Sequence, residues 1–143
     1  MGVKKNMNVK RERYIYYIIC PIADNVVYVG VTNNPMSRFK GHIKKSKRGS
    51  KALIHYYIRF LMNKKSMPKF KIVSKIYQSY TESEKAEARH TEKYISTVFN
   101  EMYGNGLAID KNKNLKKSFN NNEIDPIRYF ESKLSGIHEN EKS

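Results

Sequence analysis

The chain has 143 residues, with 28 Lys and Arg against 13 Asp and Glu, a formal net charge of +15. That length allows one domain and little more, and 39% hydrophobic residues, with 12% aromatic, supply a modest core, which excludes wholesale disorder. No run approaches the roughly 20 apolar residues that span a bilayer, the opening segment lacks a secretory pattern, and a single cysteine, Cys20, excludes internal disulfides and cysteine-rich zinc sites, so a reducing, cytoplasmic setting with no membrane partner is expected.

Residues 1–13 are polar and basic, show no period that buries a face, and read as a flexible arm. Residues 14–20 and 26–31 are β-branched and aromatic runs separated by Pro21-Ile22-Ala23-Asp24-Asn25, a turn composition, and predict a β-hairpin. Pro35 after Asn33 and Asn34 starts a helix over 35–47, in which Met36, Phe39 and Ile43 recur at helical spacing. Gly49 and Ser50 interrupt it. Leu53, Ile54, Tyr57, Ile58 and Leu61 then mark a second helix over 51–63. After Pro68, residues 70–77 predict a third strand with Phe70, Ile72, Ser74 and Ile76 on one face. Thr81 and Glu84 fit a capping box for a third helix whose inner side carries Ala88, Thr91, Tyr94, Ile95 and Val98. Residues 104–122 read as loop, and Asp125-Pro126 starts a short helix over 126–135 with Ile127, Phe130 and Leu134 inward and Gly136 as its stop. The order β-β-α-α-β-α plus a short C-terminal helix predicts an α+β fold, a small mainly antiparallel three-stranded sheet flanked by helices.

The charge is lopsided. Residues 1–80 hold 18 basic residues against Glu12 and Asp24, a net +16, whereas the remainder is nearly neutral. Such an excess concentrates polyanions at the surface and is the electrostatic footprint of a nucleic-acid binder, although a lysine-rich solvated surface would give the same count.

Tyr14-Ile15-Tyr16-Tyr17-Ile18, then Tyr28-Val29-Gly30 at hairpin distance, then Arg38 and His42 four residues apart, resemble the GIY-YIG nuclease superfamily. Glu87-Ala88-Arg89-His90-Thr91-Glu92-Lys93-Tyr94-Ile95 is similar to that family's glutamate helix. The resemblance covers residues 14–110, which leaves 1–13 as an arm and 111–143 as a polar extension. It implies a metal-dependent endonuclease with catalytic Tyr16, Tyr28, Arg38, His42 and Glu92. Glu92 would hold one Mg²⁺ or Mn²⁺, with Glu84 and Glu87 as rival ligands. The double tyrosine leaves Tyr16 or Tyr17 as the base, and the pattern of Ile15 and Ile18 favours Tyr16. The family's late asparagine falls at Asn105 or Asn100.

Tyrosine ordinarily titrates near pH 10, so a tyrosine base must shed its proton through nearby positive charge, for which Arg38, Lys44 and a divalent ion are the candidates. Arg38 and His42 share a helix face, where a guanidinium clamps phosphate oxygens and an imidazole binds the phosphate or the attacking water. Tyr17, Gly30, Lys40, Lys44, Lys45 and Asn105 are further nucleic-acid contacts. Double-stranded DNA is the expected substrate and a 5′-phosphate with a 3′-hydroxyl the implied product. The host would be the infected cell if the chain belongs to a phage or another mobile element. Specificity would come from the arm, the loops or a homodimer that reads two half-sites. The alternatives are a non-catalytic nucleic-acid-binding protein and an RNA-cleaving nuclease.

Overall fold

The structure, a computed structural model, describes residues 9–103 and 106–142, with side chains through residue 134. Strand β1 (Arg11–Ile19) begins three residues before the predicted run, so Arg11 to Arg13 belong to the sheet, while residues 1–8 of the expected arm lie outside the described residues. It pairs antiparallel with β2 (Val26–Thr32) on one side and with β3 (Lys69–Gln78) on the other, in the order β2-β1-β3. A central strand with helices on both faces has no solvent side, which is why Ile15, Tyr16, Tyr17 and Ile18 are all buried.

Side-chain alternation divides that run between two cores. Tyr16 and Ile18 join the cluster built on α2 (Leu53–Asn63), with Leu53, Ile58 and Leu61. Ile15 and Tyr17 point the other way, toward Ala86 of α3 (Tyr80–Lys93) and Val98 beyond it. The shared face predicted for Phe70, Ile72, Ser74 and Ile76 is broken by a bulge. Ser74 pairs with Ile15 and Ile72 with Tyr16, so Val73 is an extra residue and the alternation inverts across it.

Helix α1 (Pro35–Lys47) follows the hairpin directly, with Asn34 Oδ1 accepting from the Ser37 amide at 3.2 Å and proline in its first turn. The cap of α3 is Ser79 rather than Thr81. Its hydroxyl accepts from the Glu82 amide at 3.2 Å and donates to the Glu82 carboxylate at 3.0 Å, starting the helix earlier; the buried side carries Ser83, Ala86 and Thr91, while Ile95, expected inward, is exposed beyond the helix end.

After the short pair β4 (Met102–Tyr103) and β5 (Leu107–Ala108), the segment expected to be loop forms α4 (Asp110–Asn120). Its Lys/Asn-rich surface hides a single inward line of Asn112, Leu115 and Phe119. α5 (Pro126–Lys142) runs through Gly136 rather than stopping there, and its Phe130 is fully buried against Tyr57, Phe60 and Phe119 at ring separations of 5.3, 5.4 and 5.6 Å. Among the described residues no helix is long and apolar enough to cross a membrane.

Candidate active site

The site grows from the two hairpin strands. Tyr16 lies opposite Gly30 in the β1–β2 register, and its ring covers the glycine so closely that a Cβ there would overlap the phenol. Gly30 is therefore explained by room for the Tyr16 ring, not by the open approach to nucleic acid expected from the sequence. Gly30→Ala should push the ring out of its pocket, costing about 1–3 kcal/mol in a thermal melt and most of any activity that depends on Tyr16.

The Tyr16 hydroxyl is hydrogen-bonded to His42 Nε2 at 2.8 Å, and Phe39 meets the phenol ring edge-on at 5.4 Å. Burial, with the neighbouring Tyr28 hydroxyl, holds the Tyr16 phenol well above the usual tyrosine range, while Arg38 pulls the other way. Tyr28 packs on His42 at 5.2 Å and is pushed up to about 12, again by burial first. The choice between the paired tyrosines acquires a physical basis here. Tyr17 faces the opposite side, where its hydroxyl is hydrogen-bonded to His90 Nδ1 at 2.6 Å, away from Arg38 and His42.

On α1, Arg38, His42 and Lys45 line a cleft of about 260 Å³ together with Thr32 and Asn34. Lys40 and Lys44 lie on an adjacent groove of the same helix. Among the described residues no ion pair engages Arg38, Lys40, Lys44 or Lys45, which leaves these cations available to phosphate oxygens.

Helix α3 brings in a different carboxylate from the one expected. Glu87 lies within the inward face marked by Ser83, Ala86 and Thr91, and its field reaches both Tyr16 and Tyr28. Five residues along a helix is a rotation of about 140°, and Glu92 is accordingly exposed on the outer side. Burial and the nearby Glu84 raise the Glu87 carboxyl to about 7, against the pull of Arg38 and a hydrogen bond from the Val31 backbone.

The sequence matches the description of the GIY-YIG catalytic domain over residues 13–105. The chain belongs to the GIY-YIG family. No curated protein and no solved structure matches it. Membership makes this GIY-YIG domain a nuclease, a phosphodiester hydrolase acting on nucleic acid. Nucleases of this family generally depend on a divalent metal. Among the described residues no group of three or more His, Cys, Asp and Glu is gathered as a metal cage. Glu87 with Glu84 nearby nevertheless fits a hard cation that takes one or two carboxylates and completes its shell with water and phosphate oxygens.

Of the two late asparagines, Asn105 lies outside the described residues. Asn100 is buried and pairs with the free edge of β2, its Oδ1 accepting from the Val29 amide at 3.0 Å and its Nδ2 donating to the Val29 carbonyl at 2.8 Å. Glu101 beside it accepts from the Leu53 amide at the start of α2 and pairs with Lys116 of α4 at 2.8 Å. The GIY-YIG core is thus tied to the C-terminal helices through the residues just past Val98.

No helical or strand period along the sequence relates His55 to His42, yet its Nε2 lies 3.0 Å from His42 Nδ1. Burial first, then nearby positive charge, holds His42 down to about 3 and His55 to about 4, so both rings are neutral in the folded protein at neutral pH. A depressed folded pKa contributes stability that is complete above the unfolded value near 6.5 and is lost as pH falls toward the folded values. Unfolding between about pH 6 and 5 should therefore take up close to two protons through these rings. The denaturant midpoint should fall over that window, with a shallower fall in His55→Gln.

Proposed function

We propose that this GIY-YIG nuclease is an endonuclease that cleaves double-stranded DNA with Tyr16 as general base and one divalent ion held by Glu87. The observation that carries the reading is the hydrogen bond between the Tyr16 hydroxyl and His42, directly beside the cleft that Arg38 and Lys45 line. In this reading the Arg38 guanidinium clamps the scissile phosphate, His42 holds the Tyr16 hydroxyl, Tyr28 positions the attacking water, and Lys40, Lys44 and Lys45 contact flanking phosphates. The ion, Mg²⁺ or Mn²⁺, supplies Lewis-acid stabilisation of the charge that builds on the phosphate. Glu87 replaces Glu92 in that role because Glu87 alone of the two faces Arg38 and both tyrosines. Tyr17 is left out of the DNA contacts, since its hydroxyl is engaged by His90. The implied products carry a 5′-phosphate and a 3′-hydroxyl.

The test is incubation of the purified protein with supercoiled plasmid in Mg²⁺, in EDTA, and with an RNA of the same sequence. Nicked or linear plasmid in Mg²⁺ alone supports the proposal. Cleavage confined to RNA moves the substrate, and binding without cleavage returns the chain to a non-catalytic role. Binding should also weaken steeply with salt, because a net +16 over residues 1–80 acts through counterion release. If about five phosphates are contacted, a fourfold rise in salt should weaken binding by roughly 500-fold in a filter or fluorescence titration.

A further inference from the structure

The Tyr16–His42 hydrogen bond is the first of three in a row. Tyr16 Oη lies 2.8 Å from His42 Nε2, His42 Nδ1 lies 3.0 Å from His55 Nε2, and His55 Nδ1 lies 2.6 Å from Ser50 Oγ. The chain of contacts starts at the most buried tyrosine of the sheet and crosses two buried imidazoles. It emerges at Ser50, half-buried in the turn between α1 and α2. Each imidazole has both ring nitrogens engaged, so the tautomers are linked and only two proton arrangements satisfy every bond. In one, Tyr16 donates to His42, His42 to His55, and His55 to Ser50. In the other every donor and acceptor is exchanged. Moving between them shifts each proton by one step.

We propose that His55 is a positioning residue for the hydrolysis, which with His42 forms a relay that conducts the Tyr16 proton through the core to Ser50. This rests on Tyr16 being the base. As water attacks phosphorus, its proton passes to Tyr16 Oη, while the Tyr16 proton passes to His42 Nε2. The His42 Nδ1 proton passes to His55 Nε2, the His55 Nδ1 proton to Ser50 Oγ, and the Ser50 proton to solvent. The water oxygen forms the new P–O bond as the bond to the 3′ oxygen breaks, and that oxygen takes a proton from solvent. One proton is released at Ser50 for each proton taken from water, and neither ring is left charged.

The surroundings favour a neutral relay over an imidazolium. Arg38 and Lys45 of α1 face His42, Lys45 and Arg59 face His55, and Glu101 is the single opposing charge on His55 among these neighbours. A relay also answers the difficulty posed by burial of the phenol, because Tyr16 accepts a proton only as it gives one up.

His55→Gln keeps an acceptor for His42 Nδ1 and cannot pass a proton along. Single-turnover cleavage of plasmid by the full chain in Mg²⁺ should fall about 10- to 100-fold at pH 7, with DNA affinity within about twofold. The deficit should shrink as pH is raised toward 9, because hydroxide then attacks in place of water and leaves no proton for Tyr16 to take up. A wild-type rate in His55→Gln, or a deficit that is the same at every pH, overturns the relay. Tyr16→Phe in the same assay separates the two claims. If Tyr16→Phe cleaves normally, the tyrosine-base reading fails. If it does not and His55→Gln does, the relay alone fails. Should His55→Gln not fold, the wild-type protein decides. The relay requires an across-bond ¹⁵N–¹⁵N coupling between His42 Nδ1 and His55 Nε2 at neutral pH, and its absence overturns the proposal.

Discussion

If Glu87 anchors the cation as proposed, Glu87→Gln should lower DNA cleavage by about 10³-fold or more, since losing that carboxylate forfeits several kcal/mol of transition-state stabilisation. The amide keeps nearly the same volume and removes one negative charge from a basic surface, so DNA affinity should be unchanged or slightly higher. Glu92→Gln should cleave within a few-fold of the parent, because that side chain is exposed on the outer side of α3. Cleavage rates at saturating protein, measured for both variants across a Mg²⁺ titration, decide the matter. A dead Glu92→Gln beside an active Glu87→Gln would return the ion to the residue that the sequence resemblance favoured. The comparison is informative because both changes sit on one helix and differ only in the direction they face.

Tyr16→Phe should cost about 10²- to 10⁴-fold in rate by removing the proposed general base. Its ring packing against Phe39 and over Gly30 would remain. The loss of the hydrogen bond to His42 should cost about 1 kcal/mol of stability, because the buried His42 Nε2 is left without its partner. Tyr17→Phe should show the inverse pattern. It loses the hydrogen bond to His90 on the far side of the sheet, with a similar small loss of stability and little loss of rate. Paired measurements of melting temperature and single-turnover rate distinguish the two. Equal rate losses would mean that the far face of the sheet also meets the substrate.

Much of the fold was legible because burial and local preference agreed. The hairpin, α1 and α2 are read directly from β-branched runs, a proline in the first helical turn and an apolar stripe at helical spacing. Failures occurred where they disagreed. Helix α4 is lysine- and asparagine-rich, and its few inward residues form a helix only because α2 and the Asn100 segment give them something to cover. The bulge at Val73 has no local signature, since an extra strand residue is defined only by the partner it fails to pair with. Ser79-Glu82 and Thr81-Glu84 are equally good capping pairs in sequence, and the folded chain uses the first, which starts α3 two residues earlier.

The sequence by itself determined the family, the basic character of the first 80 residues, and the residue types from which the proposed site is built, because these depend on identity, order and spacing along the chain. Strand alternation also guaranteed that Tyr16 and Tyr17 face opposite ways. Only the tertiary structure decided which face meets α1, which carboxylate of α3 turns toward Arg38, and that His55 stands behind His42. A helical or strand period fixes side chains relative to their own element. The rotation of that element against its neighbours is set by packing, here by Ser83, Ala86 and Thr91 seating α3 and by the Tyr16 ring seating on Gly30. His42 and His55 sit on different helices, 13 residues apart, and no periodicity relates them. Their contact exists because α1 and α2 both pack on the Tyr16 face of the sheet.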